Sequence, residues 1–456
     1  MNRSESAAIW PQVRRLVVVG SGVWITFAAQ LLITFIETVI VARLGADALA
    51  GVTIALSLYV ASFLFSLGVV TAVTPLAATA YGKGDLEGVR NFGQQGVLVA
   101  LMIATPLMVA LFGAAGVFAS MSAEYARFGA AAAYLTGAAP GLPLWTIYVA
   151  IRCFGIATGR VYVITGVMVA AIPIYTALAI VLTFGLGPIP KLGVFGSGLA
   201  YTLTALIIVT VTALILKYIN LTPTSSILIW RPKAVRSERK EILSLGIPFA
   251  FRIVLREGVL PATTLIVAVF GADVIAAHAV ASRLGEITSS IAFGISSAVN
   301  AEIGYMLGSN EHRQTRLPVL VGVALALIVS IIVSATVVVF SESIATLMLG
   351  NANAISITMA LQVIPIAMLW FIVVALQAPL SGTLSAFKAA KFQLWTAAAG
   401  SWMLGIPIAY GLSRLASVPT AGAWIGLTLG ELSITALFFW KVYHLISRHQ
   451  LYAVTP

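Results

Sequence analysis

Long, nearly uncharged runs of apolar residues constrain this chain more than any other feature of its sequence. A helix that crosses the hydrocarbon core of a bilayer needs about 20 mostly apolar residues, and twelve such runs lie between charged or Gly/Pro-rich breaks. Strands of a transmembrane barrel alternate in polarity, and these runs do not. The sequence therefore predicts an all-α integral membrane protein with twelve transmembrane helices. The runs cover residues 16–42, 50–80, 92–119, 129–157, 161–186, 193–219, 242–270, 275–307, 317–340, 355–386, 392–414 and 420–446.

The composition supports this prediction and excludes several classes of protein. Hydrophobic residues make up 60% of the chain and charged residues only 9%, whereas a soluble domain has roughly 25% charged residues. A soluble enzyme, a nucleic-acid-binding protein and a disordered chain are therefore excluded. The single cysteine, Cys153, rules out an internal disulfide and a cysteine-based metal site, and we expect neither a metal nor a cofactor.

The net charge of +11 reports membrane topology, because cytoplasmic loops of membrane proteins are rich in Lys and Arg. With the N-terminus inside, 18 of the 26 Lys and Arg residues fall in inner segments and 4 in outer ones, while the other 4 lie within the runs. The predicted location is the inner or plasma membrane of the cell, with multiple spans and both termini in the cytoplasm. The lipid bilayer is then the main partner of a chain that we expect to be a monomer.

An internal repeat divides the chain into two similar halves. With a shift of 226 residues, the Gly-Ala-Asp sequence at 45–47 aligns with that at 271–273, Gly20 with Gly246, and Gly68 with Gly294. Six spans per copy is an even number, so both copies enter the membrane from the same side and the repeat is parallel. We expect two six-helix bundles, 1–219 and 241–456, joined by a cytoplasmic linker at 220–240. Two such lobes around a shared cavity suit alternating access.

Among the carboxylates inside predicted spans, we single out two, because an ionisable side chain is costly there and is a functional candidate by default. Glu37 lies two-thirds of the way along the first span, and Glu257 lies in the middle of the seventh. Burial disfavours the charged form of a carboxyl group, so each of these groups is able to exchange a proton or a sodium ion. Hydrogen bonding of a neutral acid between helices is the structural alternative. We predict that both carboxylates take part in ion coupling, with Thr38 and Gln30 as neighbouring substrate candidates.

Arginines accompany the second carboxylate. Arg252 and Arg256 are spaced i, i+4 and share one face of the seventh span, while Glu257 points about 100° away from Arg256. Arg283 and Glu286 are spaced i, i+3 on the eighth span and can pair. These four residues either line a substrate cavity or form a structural ion-pair network, and the sequence leaves both open. Arg152, Glu302 and Glu431 are interpreted as snorkelling or capping residues near span ends.

Prolines within the spans, among them Pro173, Pro248 and Pro407, remove a helical hydrogen bond and are candidate hinges. Sequence motifs of energy-consuming or enzymatic chemistry do not occur: there is no phosphate-binding G-x-x-x-x-G-K-[ST] loop, no H-E-x-x-H and no G-x-S-x-G. Transport must then draw on an ion gradient, with the buried carboxylates as coupling groups. We expect no enzymatic activity; a membrane-embedded transferase would need a carboxylate pair or a His-Asp constellation within the spans.

Several segments resemble the MATE (multidrug and toxic compound extrusion) family. The family's first-helix pattern appears as ETVIVARLGADALAGV at 37–52, and the end of its second helix as TPLAATAYGKGD at 74–85. The seventh helix opens with EILSLGIPFAF at 241–251, and the paired helix starts appear at 192–203 and 420–431. This resemblance spans nearly the whole chain, and its closest fit is to the bacterial NorM-like branch.

The resemblance implies a two-lobe antiporter that exports organic compounds, often cationic, against inward proton or sodium flow. The family's helix-one Asp falls on Glu37 and its helix-seven Glu on Glu257. Other family positions differ: the helix-ten Asp falls near Val374, and the Asn residues around the helix-five proline appear as Ala171 and Tyr175. Because a sodium ion needs several oxygen ligands, these losses favour proton coupling.

The leading expectation is thus an ion-coupled exporter of small amphipathic organic compounds or drugs, with protons favoured over sodium ions. A flippase for a lipid-linked intermediate and an exporter of an acidic metabolite are the alternatives, the second because Arg252 and Arg256 suit an acidic ligand. A passive channel is disfavoured by the doubled, two-lobe organisation.

Overall fold

The computed structural model describes residues 3–123, 125–218, 236–309, 311, 314–350 and 354–452. Within these ranges the chain is almost entirely helical and forms no sheet; a bridge joins Leu186 and Ile189 in one connection. The predicted all-α fold is confirmed. Most of the predicted linker lies outside the described residues, and the lobe boundaries stay a prediction.

The helices of the first half account for the first six predicted spans. Helices α2 and α3 form one broken span, and α5 and α6 form another that bends by 47°. The helices are α1 (Arg3–Ala42), α2 (Ala46–Thr71), α3 (Val73–Gly82), α4 (Leu86–Ser120), α5 (Ala126–Ala138), α6 (Gly141–Ala157), α7 (Val161–Phe184) and α8 (Gly193–Tyr218).

The second half accounts for the other six. Its first span is broken between α9 and α10, and its fifth is interrupted by a π-helix at Ala398–Gly405. The helices are α9 (Arg236–Glu257), α10 (Val259–Ala268), α11 (Ala272–Gly308), α12 (Arg316–Val339), α13 (Ser341–Leu349), α14 (Ala354–Ala386), α15 (Ala390–Ala397), α16 (Ile406–Leu415) and α17 (Pro419–Tyr452).

Fewer helices of the structure are long and apolar enough to count as spans than the twelve spans predicted from the sequence. Among the described residues, eight helices pass such a test, and the bent α5–α6 pair adds a ninth. The other three predicted spans correspond to α9–α10, to α11, and to α15–α16 with its π-helix. Two of these are broken, and α11 carries Asp273, Arg283, Glu286 and Glu302. Irregular or charged segments of this kind are where membrane proteins place functional groups.

Two compact units divide the chain, one formed by 25–250 and the other by 1–24 with 251–456. Helix α1 therefore contributes its first part to one unit and its second part to the other, and α9 does the same. Inside the 25–250 unit, α9 packs on α2 where Gly246 lies against Val69 and Gly68 against Ala250. Inside the other unit, α1 packs on α11 where Gly20 lies against Gly294. The two crossings use positions that the 226-residue repeat aligns.

Aligned glycines also precede the second span of each half, which begins with α2 in the first half and with α11 in the second. Gly45 precedes α2 with φ 112° and ψ 170°, and Gly271 precedes α11 with φ 111° and ψ 172°. This backbone conformation is essentially restricted to glycine. The identical geometry at the two Gly-Ala-Asp segments gives the internal repeat a structural counterpart.

The candidate hinge prolines differ in their surroundings. Pro173 lies inside the continuous helix α7 and Pro248 inside the continuous helix α9. Pro407 is the second residue of α16, the helix that directly follows the π-helix. The 47° bend lies elsewhere, at the junction of α5 and α6, where Pro140 precedes α6. Helices α7 and α9 thus continue through Pro173 and Pro248 without a break. A hinge role for the three prolines stays a prediction.

Replacing either repeat glycine with alanine should destabilise the protein. Both positions have open space for a Cβ atom, so the cost is backbone strain alone, about 1–3 kcal/mol of unfolding free energy for each of Gly45→Ala and Gly271→Ala. Thermal unfolding of the purified protein in detergent measures the loss. Gly113→Ala is the control, because Gly113 lies within α4 with equally open space and alanine favours a helix. Equal melting temperatures for all three variants would contradict this account.

Candidate functional site

A buried carboxyl group lies in the 25–250 unit. The Glu37 side chain on α1 is 0% exposed. Its Oε1 atom accepts a hydrogen bond of 2.6 Å from the Tyr134 hydroxyl on α5 and one of 3.5 Å from the Ser197 hydroxyl on α8. Its Oε2 atom is also buried and has no hydrogen-bond partner. The carboxyl group is therefore held at one oxygen and left unsatisfied at the other.

The helical period of α1 explains why Glu37 points inward. Ile33, Ile40 and Val41 are buried with it, and residues three and four positions apart share a helix face. Thr38 is exposed and donates its hydroxyl to the Thr34 carbonyl one turn earlier. The sequence candidates on α1 thus separate, with Glu37 on the packed face and Thr38 on an exposed one. Gln30 is half-buried, and its carbonyl accepts the Thr34 hydroxyl.

Aromatic side chains surround the carboxyl group. The Tyr201 ring lies 5.5 Å from the Tyr59 ring, 5.1 Å from the Trp145 ring and 6.2 Å from the Tyr175 ring. Tyr59, Tyr175 and Tyr201 each interact electrostatically with Glu37. The hydroxyls of Tyr59 and Tyr175 and the indole nitrogen of Trp145 are buried without hydrogen-bond partners. The cluster therefore offers further polar atoms to a proton-carrying water or a ligand.

No basic residue neutralises this carboxyl group in the part of the chain that the structure describes. The ion pairs found there join Arg15 to Glu302, Arg90 to Glu87, and Arg283 to Glu286. A buried carboxylate without a counter-charge is costly. Glu37 must therefore take up a proton or a cation when the site is closed.

A metal centre finds no support among the described residues. No group of three or more His, Cys, Asp or Glu side chains comes together there. The donors around Glu37 are hydroxyls, with Glu37 itself as the carboxylate. A single acid suits proton exchange, whereas a hard cation needs several oxygen ligands.

The other unit contains the remaining charged candidates. Arg252 and Arg256 are half-buried on α9, and Glu257 is exposed at the end of that helix. The two arginines line one small cavity with Gln377, Ser401 and Glu431. Glu257 is not among the lining residues, as expected from its 100° offset. The structure thus brings the arginines together at this cavity, and Glu257 interacts with Arg252 without lining the cavity.

The predicted pair on α11 forms at the protein surface. The Arg283 guanidinium donates to the Glu286 carboxylate at 2.9 Å, and the two side chains are 70% and 43% exposed. His278, on the same helix, has its Nε2 atom 3.0 Å from the Thr264 hydroxyl and 3.2 Å from the Ser282 hydroxyl, so it is a hydrogen-bonded histidine.

Two charged residues that the sequence analysis placed near span ends are buried instead. Glu431 is 5% exposed and accepts hydrogen bonds from Gln377 Nε2 at 3.0 Å and from Ser401 Oγ at 3.2 Å. Arg152 is 3% exposed and stacks over the Phe27 ring at 4.8 Å. The interpretation as snorkelling or capping residues was wrong, because neighbouring helices cover both side chains. Glu431 lies twelve residues inside α17, and that depth was the available signal.

Glu302, the third residue interpreted as snorkelling or capping, forms an ion pair. Its carboxylate pairs with Arg15 at 3.2 Å, and the two side chains are 15% and 65% exposed. It is thus neither a cap nor an unpaired snorkelling residue.

Known proteins share both the sequence pattern and the fold. The MatE family model matches this chain twice, at residues 23–181 and 248–411, with starts 225 residues apart. The double match covers most of the chain and confirms the internal repeat.

Individual relatives cover nearly the whole length. A protein described as a probable multidrug resistance protein NorM, from Bradyrhizobium diazoefficiens, is 28% identical over 89% of this chain and 88% of its own length. A protein of the same description from Geobacillus kaustophilus is 27% identical over 93% of each chain. The crystal structure of a MATE protein in complex with MaL6 superposes with a TM-score of 0.88 at 17% identity, covering 96% of this chain and 97% of the other.

The fold, the doubled sequence match and the length of the shared region agree. Proteins of this kind are membrane transporters, so the absence of catalytic motifs from the sequence has a functional reason. The chain belongs to the MatE family of transporters.

Proposed function

We propose that this protein exports small amphipathic organic compounds across the cell membrane in exchange for protons, by alternating access. One observation carries the proposal: Glu37 is fully buried, lacks a basic partner among the described residues and is bonded only by hydroxyls. A group in this environment exchanges its proton when the surroundings open to water. The NorM relatives, described as probable multidrug resistance proteins, support an organic substrate.

Coupling follows from the two states of the carboxyl group. Protonated Glu37 is neutral and stable in the closed aromatic cluster, whereas the carboxylate is stabilised by water or by a cationic substrate. Proton and substrate then compete for one site, and each drives the other out. This competition is the physical basis of antiport.

Glu257 enters the proposal as a second coupling acid. It lies where α9 ends, beside the break at Gly258, and its side chain is exposed. The distribution of basic residues supports cytoplasmic termini, and a single chain contains both units and all coupling groups, which supports a monomer.

Glu37→Gln should abolish gradient-driven export. Glutamine keeps the size of the side chain and an acceptor for Tyr134, but it cannot exchange a proton. Efflux of a fluorescent lipophilic cation from cells that express each variant measures the effect, with protein in the membrane confirmed by immunoblot.

Glu342→Gln is the matched control for that variant, because Glu342 is exposed at the start of α13, and it should export like the wild type. Wild-type export by Glu37→Gln would contradict the proposal. If export survives in Glu37→Gln and is lost in Glu257→Gln, the coupling acid is Glu257.

The driving ion should be the proton. An imposed pH gradient should drive transport by the wild type in sodium-free proteoliposomes. In a separate preparation that contains sodium, a sodium gradient at uniform pH should not drive it. The reason is that Glu37 provides the one carboxyl group of the site and its bonded neighbours are neutral hydroxyls, whereas hard cations are usually bound by several carboxylate or carbonyl oxygens. Transport that follows the sodium gradient alone would contradict proton coupling while leaving antiport intact.

Tyr134→Phe should slow export about tenfold, because it removes the 2.6 Å hydrogen bond that orients Glu37. A hydrogen bond to a charged group contributes about 1.5–3 kcal/mol. Initial rates of pH-driven uptake into proteoliposomes measure the loss. Tyr125→Phe is the control, since Tyr125 is exposed; equal rates for the two variants would show that the Tyr134 hydroxyl does not position Glu37.

A further inference from the structure

A cluster of polar side chains lies in the unit formed by 1–24 and 251–456, whereas Glu37 belongs to the other unit. Arg252 and Arg256 lie one turn apart on the same face of α9 and line a small cavity. Gln377 on α14, Ser401 on the π-helix and Glu431 on α17 complete its polar lining. Ionisable side chains at this depth of a span are rare and mark functional sites.

The carboxylate of the cluster is bound by neutral groups. Glu431 Oε2 accepts the Gln377 amide at 3.0 Å, and Glu431 Oε1 accepts the Ser401 hydroxyl at 3.2 Å. Neither arginine forms an ion pair with this carboxylate at a nitrogen–oxygen distance of 4.0 Å or less; the ion pairs found among the described residues join other side chains. Glu431 therefore acts on Arg252 only as a longer-range charge, and Glu257 on α9 acts on it in the same way.

One of the two arginines is left short of an acceptor. The Nε atom of Arg252 is buried and has no hydrogen-bond partner. Arg256 adds a second positive charge that repels the first. A buried donor without an acceptor costs free energy, and two guanidinium groups on one face of α9 repel each other. An anionic group would satisfy both deficits.

The irregular backbone around the cavity is itself secured. Helix α9 stops at Glu257, and the carbonyl of Leu255 in its last turn accepts the Trp402 indole N–H at 2.9 Å. Trp402 and Ser401 are neighbours on the π-helix, so one segment ties both the α9 break and Glu431. Short π-helices are frequent at functional sites. The geometry of the arginine face is thus held by contacts other than those with a ligand.

We propose that Arg252 and Arg256 form a binding subsite for the carboxylate of an amphipathic organic compound, with Glu431 held away from them by Gln377 and Ser401. The inference rests on the proposed function, in that the ligand is one of the exported compounds. Guanidinium groups match a carboxylate with paired N–H donors. A cationic ligand is disfavoured here, because the arginines repel it.

Equilibrium binding tests this subsite without any ion gradient. The probes are 2-naphthoate and its neutral analogue 2-naphthamide, titrated calorimetrically into the full-length protein in detergent, with titrations into empty micelles subtracted. Wild type should bind naphthoate at least about tenfold more tightly than naphthamide, the effect of one charge-assisted hydrogen bond.

The variants locate the effect. Arg252→Gln and Arg256→Gln should each weaken naphthoate binding about tenfold and leave naphthamide binding unchanged. Glu431→Gln should tighten naphthoate binding, because it removes the opposing charge. Arg414→Gln is the matched control in the same unit, since Arg414 is exposed and stacks on Tyr410; its binding should equal that of the wild type. Thermal unfolding confirms that each variant is folded, and Arg256→Gln keeps the test valid if Arg252→Gln does not fold.

Equal affinity of the wild type for the two probes would overturn the inference, as would an equal loss in Arg414→Gln. Failure of the proposed function gives a different result: naphthoate selectivity that depends on Arg252 would persist, while pH-driven transport of the lipophilic cation would be missing. Transport with no naphthoate selectivity would refute the subsite and leave the antiporter.

Discussion

The polar chemistry of the 25–250 unit depends on the free-energy cost of burying the Glu37 carboxyl group without a counter-charge. Glu37 lies on the packed face of α1, and hydroxyls from α5 and α8 hold one of its oxygens. Replacement of such a group by an apolar side chain would remove the cost entirely, so its presence calls for a functional reason. The buried tyrosines around it keep the site apolar enough for the charge to matter and polar enough to accept a proton-carrying water. In the proposed mechanism, the free-energy cost of burying the Glu37 carboxylate favours proton uptake in the closed site, and this proton uptake is what couples export to the proton gradient.

The second unit handles charge in a different manner. It has two half-buried arginines, a buried acid held by neutral donors, and an exposed acid at a helix break. The repeat aligns Glu37 with Thr263, which is buried and donates to the Val259 carbonyl. The two copies thus share helix order and glycine geometry but not polar chemistry. Duplication supplied the scaffold, and the polar groups diverged on it.

The sequence predicts the helices well because the bilayer core offers no water to bond the backbone. The backbone groups of each spanning segment must then bond within a helix, so an apolar run of sufficient length indicates a transmembrane helix. The same reasoning picks out Glu37, since a lone acid in an apolar run stands out. Tyr134, Ser197, Gln377 and Ser401 escape it, because they come from separate helices and resemble ordinary packing residues. The breaks at Gly258 and at the π-helix also escape it, since tertiary contacts such as that of Trp402 with Leu255 stabilise them. Glu431 was misread for the same reason: its burial depends on helices distant in sequence.

The protonation state of Glu37 is the most direct test of the central claim. Infrared difference spectroscopy of the purified protein, recorded between the substrate-bound and substrate-free states, reports the carbonyl band of a protonated carboxylic acid. The account predicts that this band is lost when substrate binds to the wild type and that the change is missing in Glu37→Gln. An unchanged band on binding, or the same loss in Glu37→Gln, would contradict it.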